Sequence, residues 1–332
     1  MNKANSAKRG TLLISLDLEL LWGFRDVSVL DRRAQRMKEA PQAALALLEL
    51  FKKYDIHATW ATVGLLHSAH PQHALSYANK LDPNSSLKTL RLLEELKQSD
   101  SERHALYFAP ELLHEIKKTR GQEIASHSFC HFDALDRGHH PKGFEADLQV
   151  AREIAKAQGI HLGSYVFAFN RINSEYLSLL KHNGFNSYRG TEKSWAYRAL
   201  KDPLLVPAQR LYRLVDAHLN LSGFHNYQLL QPRDGEPLNL PASRFLRPIT
   251  SINRPFQRLR MRRIHQALEN AARSNKIFHL WWHPHNFSEN LEANLEMLTE
   301  VLRQFKKLEK SYQIRSMNMS ELTREYLDLH SR

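Results

Sequence analysis

Along the chain, short apolar runs alternate with longer segments whose apolar residues recur at helical spacing. "GTLLISLDLEL" predicts a buried strand that ends in acids. "APQAALALLELFKKYD" predicts the amphipathic helix after it, with Pro41 near the first turn, where a missing N–H is tolerated. "IHATWATVG", rich in β-branched and aromatic residues, predicts a second strand. Residues 71–108 read as an insertion whose clearest element is a helix over "SSLKTLRLLEELKQ". The alternation then resumes: "PELLHEIKKTRG" as helix, "QEIASHS" as strand, and "PKGFEADLQVAREIAKAQG" as a helix ending at a glycine. "SYVFAFN", "SEYLSLLKHNG" and "FNSYRG" continue as strand, helix and strand.

From about 190 to 256 this rhythm fails, and seven of the thirteen prolines fall there. The segment reads as an irregular elaboration over the mouth of the fold. After it come a basic helix over "NRPFQRLRMRRIHQALENAARSNK", a late strand "IFHLWW" and a long amphipathic helix "SENLEANLEMLTEVLRQFKKLEK". Strands alternating with helices of ten or more residues predict an α/β fold with parallel strands inside and helices outside. Roughly six or seven βα units favour closure into a barrel over an open sheet.

Charge changes the picture little. A formal net charge of +12 predicts attraction to something anionic without choosing among nucleic acid, a membrane face and a phosphate-bearing substrate. Aromatic residues are not interleaved with the basic runs, and no helix-turn-helix or zinc-finger spacing occurs, so no nucleic acid is expected. The stretch from Arg254 to Arg273 reads equally well as a solvated helix face or as a surface for anions. A single cysteine excludes an internal disulfide framework and fits a reducing compartment. The apolar run after the basic N-terminus is broken by Asp17 and Glu19, which argues against a secretory signal and for a cytoplasmic location.

In parallel α/β folds reactive residues gather at the carboxyl edge of the strands. Asp17 and Glu19 close the first strand two residues apart, so both point to one face while Leu16 and Leu18 point to the other. Two carboxylates on a buried face call for a cation or for acid/base work; a solvated strand end is the alternative. His127 and His131 follow the third strand, but a chain with 19 histidines yields about one such spacing by chance. The pair gains weight from the acids, because two imidazoles, a carboxylate and an open position suit a hydrolytic metal. Arg171 follows "VFAFN", and His283 and His285 follow "IFHLWW". Cys130 reads as a small packing residue and His279 as structural. Of Trp281 and Trp282, which alternate at a strand end, one should pack in the core and the other could face the mouth.

"SLDLE", "SHSFCH", "FAFNR" and "WWHPHN" resemble, in order, the signature blocks of the NodB-homology polysaccharide deacetylases, carbohydrate esterase family 4. The resemblance runs from about residue 10 to 290, with "EIASHSFCH" its most specific part. It implies a distorted (β/α) barrel that holds one divalent metal, and the pattern along the chain makes it a single domain over 8–332 with insertions around 71–108 and 190–256. Zinc is the first expectation, with cobalt and nickel as alternatives. The implied reaction removes an N-acetyl group from an amino sugar. By position, Asp17 is the base, Glu19, His127 and His131 are the metal ligands, Arg171 orients the base, and His283 is the acid. Trp282 and His285 are the expected substrate contacts. The acids form D-x-E where the family usually has adjacent aspartates, so the base and ligand roles of Asp17 and Glu19 are exchangeable.

The expected substrate is an N-acetylated sugar or glycan of surface polysaccharide biosynthesis, free or linked to a nucleotide or lipid. Peripheral contact with an anionic membrane would suit the lipid-linked case. The rivals are a related barrel hydrolase cleaving a formamide or ureide, and a basic nucleic-acid or membrane binding protein without catalysis.

Overall fold

The computed structural model describes residues 9–24, 30–197 and 206–330. The basic N-terminal stretch, both ends of the expected domain and part of the 190–256 segment lie outside them. β1 (Thr11–Leu18) leads through α1 (Leu30–Tyr54) to β2 (Ala58–Thr62). α2 (Pro71–Ala78), α3 (Pro83–Leu96), α4 (Ser101–His104) and α5 (Pro110–Lys118) precede β3 (Gln122–Ser126). α6 (Pro141–Ala157) leads to β4 (Ser164–Tyr165), and α7 (Leu177–His182) to β5 (Ser187–Tyr188). The chain continues with α8 (Val206–Asp216), β6 (Leu238–Asn239), β7 (Arg244–Phe245), α9 (Gln257–Ser274) and β8 (Ile277–Trp282). It ends with α10 (Leu291–Tyr312), β9 (Arg315–Met317) and α11 (Met319–His330).

The strands form one sheet in the order β6-β5-β4-β3-β2-β1-β8-β7, every strand pair parallel, with β9 beside the start of β1. Its two outermost strands belong to one run of chain. Leu238, Leu240 and Ala242 donate to Asn186, Tyr188 and Gly190 beside β5, at 2.8, 2.9 and 2.8 Å. Ser243 and Leu246 then donate to His279 and Trp281 in β8, both at 2.8 Å. The run changes partner midway and so joins the sheet's edges into a distorted barrel. Part of the 190–256 segment is therefore a stave of the barrel rather than an elaboration over it. Its paired pieces are two residues long and flanked by Pro237, Pro241 and Pro248, too short to carry a strand period.

A second difference concerns α1, which starts at Leu30 and holds Pro41 in its interior, not in its first turn. The polar segment before Ala40 carries no marked apolar stripe, so spacing did not mark it as helix. The 71–108 segment forms α2, α3 and α4.

Alternation along β1 sorts its side chains. Leu12, Ile14, Leu16 and Leu18 join the large core beneath the helices, with Trp60 and Trp282 fully buried in it. Leu13, Ser15 and Asp17 take the other face, inside the barrel. Leu13 meets Leu240, Ile277 and, from α11, Met319 and Leu322 in a separate apolar cluster at the floor. Above the floor the interior becomes polar: Ser15 Oγ lies 2.8 Å from His279 Nε2. No described helix is long and apolar enough to cross a membrane.

Candidate active site

At the carboxyl edge of β1 the buried Asp17 carboxylate receives both arms of a buried arginine, Arg189, which follows β5. Nη1 donates to Oδ1 and Nη2 to Oδ2, each at 2.6 Å. Nη1 also donates to Ser15 Oγ at 3.0 Å and Nη2 to Asn170 Oδ1 at 2.8 Å, while the guanidinium lies 4.4 Å over the Trp281 ring. Burial pushes the Asp17 carboxyl up, but Arg189 outweighs it and the group ends below its ordinary range.

Glu19 sits one step further out and faces imidazoles. Its Oε1 is 3.1 Å from His127 Nε2, 3.2 Å from His283 Nε2 and 3.6 Å from His131 Nε2. The Nδ1 of His127 lies 2.9 Å from the Val166 carbonyl, which can only accept, so Nδ1 carries a proton and Nε2 is turned toward Glu19. Nε2 and the Glu19 carboxylate thus converge on one point, where both could serve as ligands to a cation. His131 Nε2 is buried with no hydrogen-bond partner. Glu19, His127 and His131 bring their ligand atoms within 4.8 Å of one another, as do Asp17, Glu19 and His283. Burial pushes the Glu19 carboxyl up, yet His283 and His131 hold it well below its usual range. Burial pulls His131 down; at His283 burial is outweighed by Glu19, and its pKa ends raised.

The loop that carries the histidines is built to turn tightly. Ser128 and His131 both adopt left-handed backbone, with φ of 65° and 58°. Asp147, fully buried on α6, accepts the Phe129 and Cys130 amides at 2.7 and 3.0 Å, and Ser128 Oγ accepts the Phe132 amide at 2.6 Å. Gly64 lets this loop approach, because a Cβ there would fall 2.9 Å from Phe129 Cα. Cys130 packs with its Sγ 3.1 Å from Asp147, and burial pushes its thiol well up, which leaves it in the inert protonated form.

The structure brings Asp17, Glu19, His127, His131 and His283 to one mouth; two expected residues go elsewhere. Arg171 donates to Asp133 Oδ2 at 2.6 Å and to the Leu135 carbonyl, not to Asp17. Phe169 and Asn170 are both left-handed, with φ of 57° and 53°, and this turn sends the next side chain out of the barrel. Arg189 takes the position instead. Nothing in "FNSYRG" marked it beyond its place at a strand end.

Trp282 is fully buried against Phe51 and Phe287, so it is a core residue and not a substrate contact. Trp281, one residue earlier and on the inner face with Asp17, packs against Phe245 and His283 at the mouth. His285 is buried, its ring 5.0 Å from His283 and 5.8 Å from Phe24.

No family model matches the chain, and no curated protein matches it in sequence. Solved structures do match. A structure described as a putative polysaccharide deacetylase from Mycobacterium smegmatis aligns with a TM-score of 0.59 at 15% identity, over 98% of this chain and 92% of that one. A probable polysaccharide deacetylase from Pseudomonas aeruginosa PAO1 aligns at 0.52 and 13%, over 98% and 93%, and Puue allantoinase at 0.54 and 13%, over 97% and 91%. At such identity the likeness defines the fold, the distorted (β/α) barrel that the sequence blocks implied.

Proposed function

We propose that this protein is a divalent-metal-dependent hydrolase that removes an N-acetyl group from an amino sugar. The observation that carries the reading is the division of labour between two adjacent buried acids, one locked to an arginine and the other facing three imidazoles. The orphaned His131 Nε2 and the convergence of His127 Nε2 on the Glu19 carboxylate fit a cation held by Glu19, His127 and His131. When bound, such an ion supplies Lewis acidity and makes water nucleophilic at neutral pH.

The chain's own groups supply the proton transfers. Asp17, with both oxygens engaged by Arg189, is poorly placed as a ligand and well oriented as the acceptor of the attacking water's proton. This favours Asp17 as base and Glu19 as ligand, the order in which the motif resemblance had them. His283, raised in pKa by Glu19 and partly exposed at the mouth, holds a proton for the departing amine. Trp281, Phe245 and Phe169 offer aromatic surface around the mouth for the apolar face of a sugar ring.

The alignment with structures described as polysaccharide deacetylases supports a glycan substrate, and the chain's +12 net charge supports one carried on a nucleotide or lipid phosphate. Surface polysaccharide assembly in the cytoplasm is the setting this reading favours. The test has two parts. Elemental analysis should find about one zinc, cobalt or nickel per chain. Acetate release from N-acetylhexosamine derivatives should fall by about 10²–10⁴-fold in Asp17→Asn. A metal-free active protein, or faster turnover of a formamide or ureide than of any N-acetyl sugar, rejects the proposal.

A further inference from the structure

Behind β7, between that strand and α9, lies a pocket that the candidate active site leaves unused. It is a small cavity of about 30 Å³, and its walls hold Arg244, Arg247 and Arg260 together with Tyr197, Phe245 and Ile264. Among the described residues no carboxylate lines it.

The arginines are not surface charges that happen to meet. Arg244 is 7% exposed and Arg260 5%. Nε and Nη2 of Arg244 and Nε of Arg260 are buried with no hydrogen-bond partner among the described residues. Arg260 otherwise reaches only neutral oxygens, those of Asn253, Gln257 and Pro248. Two acids of this region are committed elsewhere. Asp216 accepts from Arg263, Ser222 and Tyr197, and Glu192 from the Trp281 indole. Burial lowers Arg247 and Arg260, the latter to about 10, and their mutual repulsion lowers Arg260 further. Glu192 is near enough to feel the charge of Arg244 but makes no hydrogen bond to it, so among the described residues the pocket wall holds three guanidinium groups and no carboxylate, and their forked donors match the oxygens of a tetrahedral oxyanion.

We propose that this pocket binds a phosphate group through Arg244, Arg247 and Arg260. Phe245 is the shared wall: it lines the pocket, and its ring lies 4.7 Å from Trp281 and 6.1 Å from His283 at the candidate active site. A phosphate carried on the substrate and free inorganic phosphate are the two sources of this chemistry. The assignment rests on the arginines and the pocket, not on the deacetylase reading, and it is tested without turnover.

The metal-loaded protein is titrated with inorganic phosphate against chloride at equal ionic strength, with thermal unfolding and calorimetry as readouts. At saturating phosphate Tm should rise by about 3 °C or more. Arg244→Gln and the half-buried Arg247→Gln should each weaken binding by about tenfold. No rise in the wild-type protein overturns the proposal, as does an equal rise in both variants, which would put the phosphate on the metal. N-acetylglucosamine 1-phosphate binding more tightly than inorganic phosphate and N-acetylglucosamine assigns the site to the substrate's phosphate. Equal affinity for inorganic phosphate and the sugar phosphate assigns it to the free anion.

Discussion

Glu123 at the floor of the barrel and Glu19 at its mouth are both buried carboxylates inside the same sheet, 9% and 6% exposed. Their surroundings differ in kind. Glu123 accepts the Thr59 hydroxyl at 2.7 Å and the Ser320 amide at 3.0 Å through Oε2, and the Ser320 hydroxyl through Oε1. It holds the positive N-terminal end of α11 against the barrel, so its charge is satisfied by fixed dipoles. Glu19 instead faces three imidazole nitrogens on side chains of the mouth, one of which, His131 Nε2, is buried with no hydrogen-bond partner. Burial of a carboxylate therefore does not identify a site; incomplete satisfaction does. Two buried arginines differ in a similar way: each has an unpartnered Nε, but Arg189 gives both Nη groups to oxygens of Ser15, Asp17 and Asn170, whereas Nη2 of Arg244 has no partner among the described residues.

Substitutions at the two ends should separate metal binding from stability. The largest effect is expected for His131→Ala, which should reduce metal content from about one per chain to near zero while leaving the fold intact by circular dichroism. Metal retained at the wild-type level would remove Glu19, His127 and His131 as the ligand set. Arg189→Lys keeps the charge but loses the fork, and kcat should drop by about 10–100-fold with KM little changed. The same change at Arg171, which reaches Asp133 and not Asp17, should leave kcat within about twofold; equal losses at both positions would erase the distinction drawn between them.

At the floor, Glu123→Gln should cost about 1–3 kcal/mol of stability by urea unfolding, because donors aimed at a carboxylate lose an acceptor. Its metal content should not change. The smallest effect is a pH dependence from histidines that are buried, neutral and remote from solvent. Burial holds His279 at about 3 and His67 at about 4, far below an unfolded histidine near 6.5. Below about pH 6.5 the unfolded chain takes up protons that the native chain refuses. Stability should then fall with pH by up to about 1.4 kcal/mol per unit for each such histidine. His67→Gln should flatten that slope between pH 6 and 4.5; an unchanged slope would show that His67 does not titrate differently in the two states.

Much of the fold was legible in the order of strands and helices, and the barrel followed from the count of βα units. The stave made by residues 238–246 was not, because it pairs two residues at a time and owes its extended form to neighbours on both sides. The β9 and α11 elements escaped notice for the same reason: their role is to pack at the floor against Leu13, a contact with no local period. At the mouth, the spacing of Asp17 and Glu19 and the histidine block were visible, since strand alternation and short loops are local rules.

What the sequence determined by itself was which residue types stand at which strand ends, and that Asp17 and Glu19 share a face. Which arginine reaches Asp17 was decided only in three dimensions. Arg171 is turned away by two left-handed residues, and Arg189 arrives from 172 positions along the chain. Trp281 and Trp282 were likewise equivalent as letters, and the pairing register of β8 against β1 put one at the mouth and the other in the core. The physical reason is common to both cases. A side chain's direction at a strand end depends on the dihedral angles of the loop that follows and on the register of the neighbouring strand, and neither is written in the local pattern of hydrophobic and polar positions.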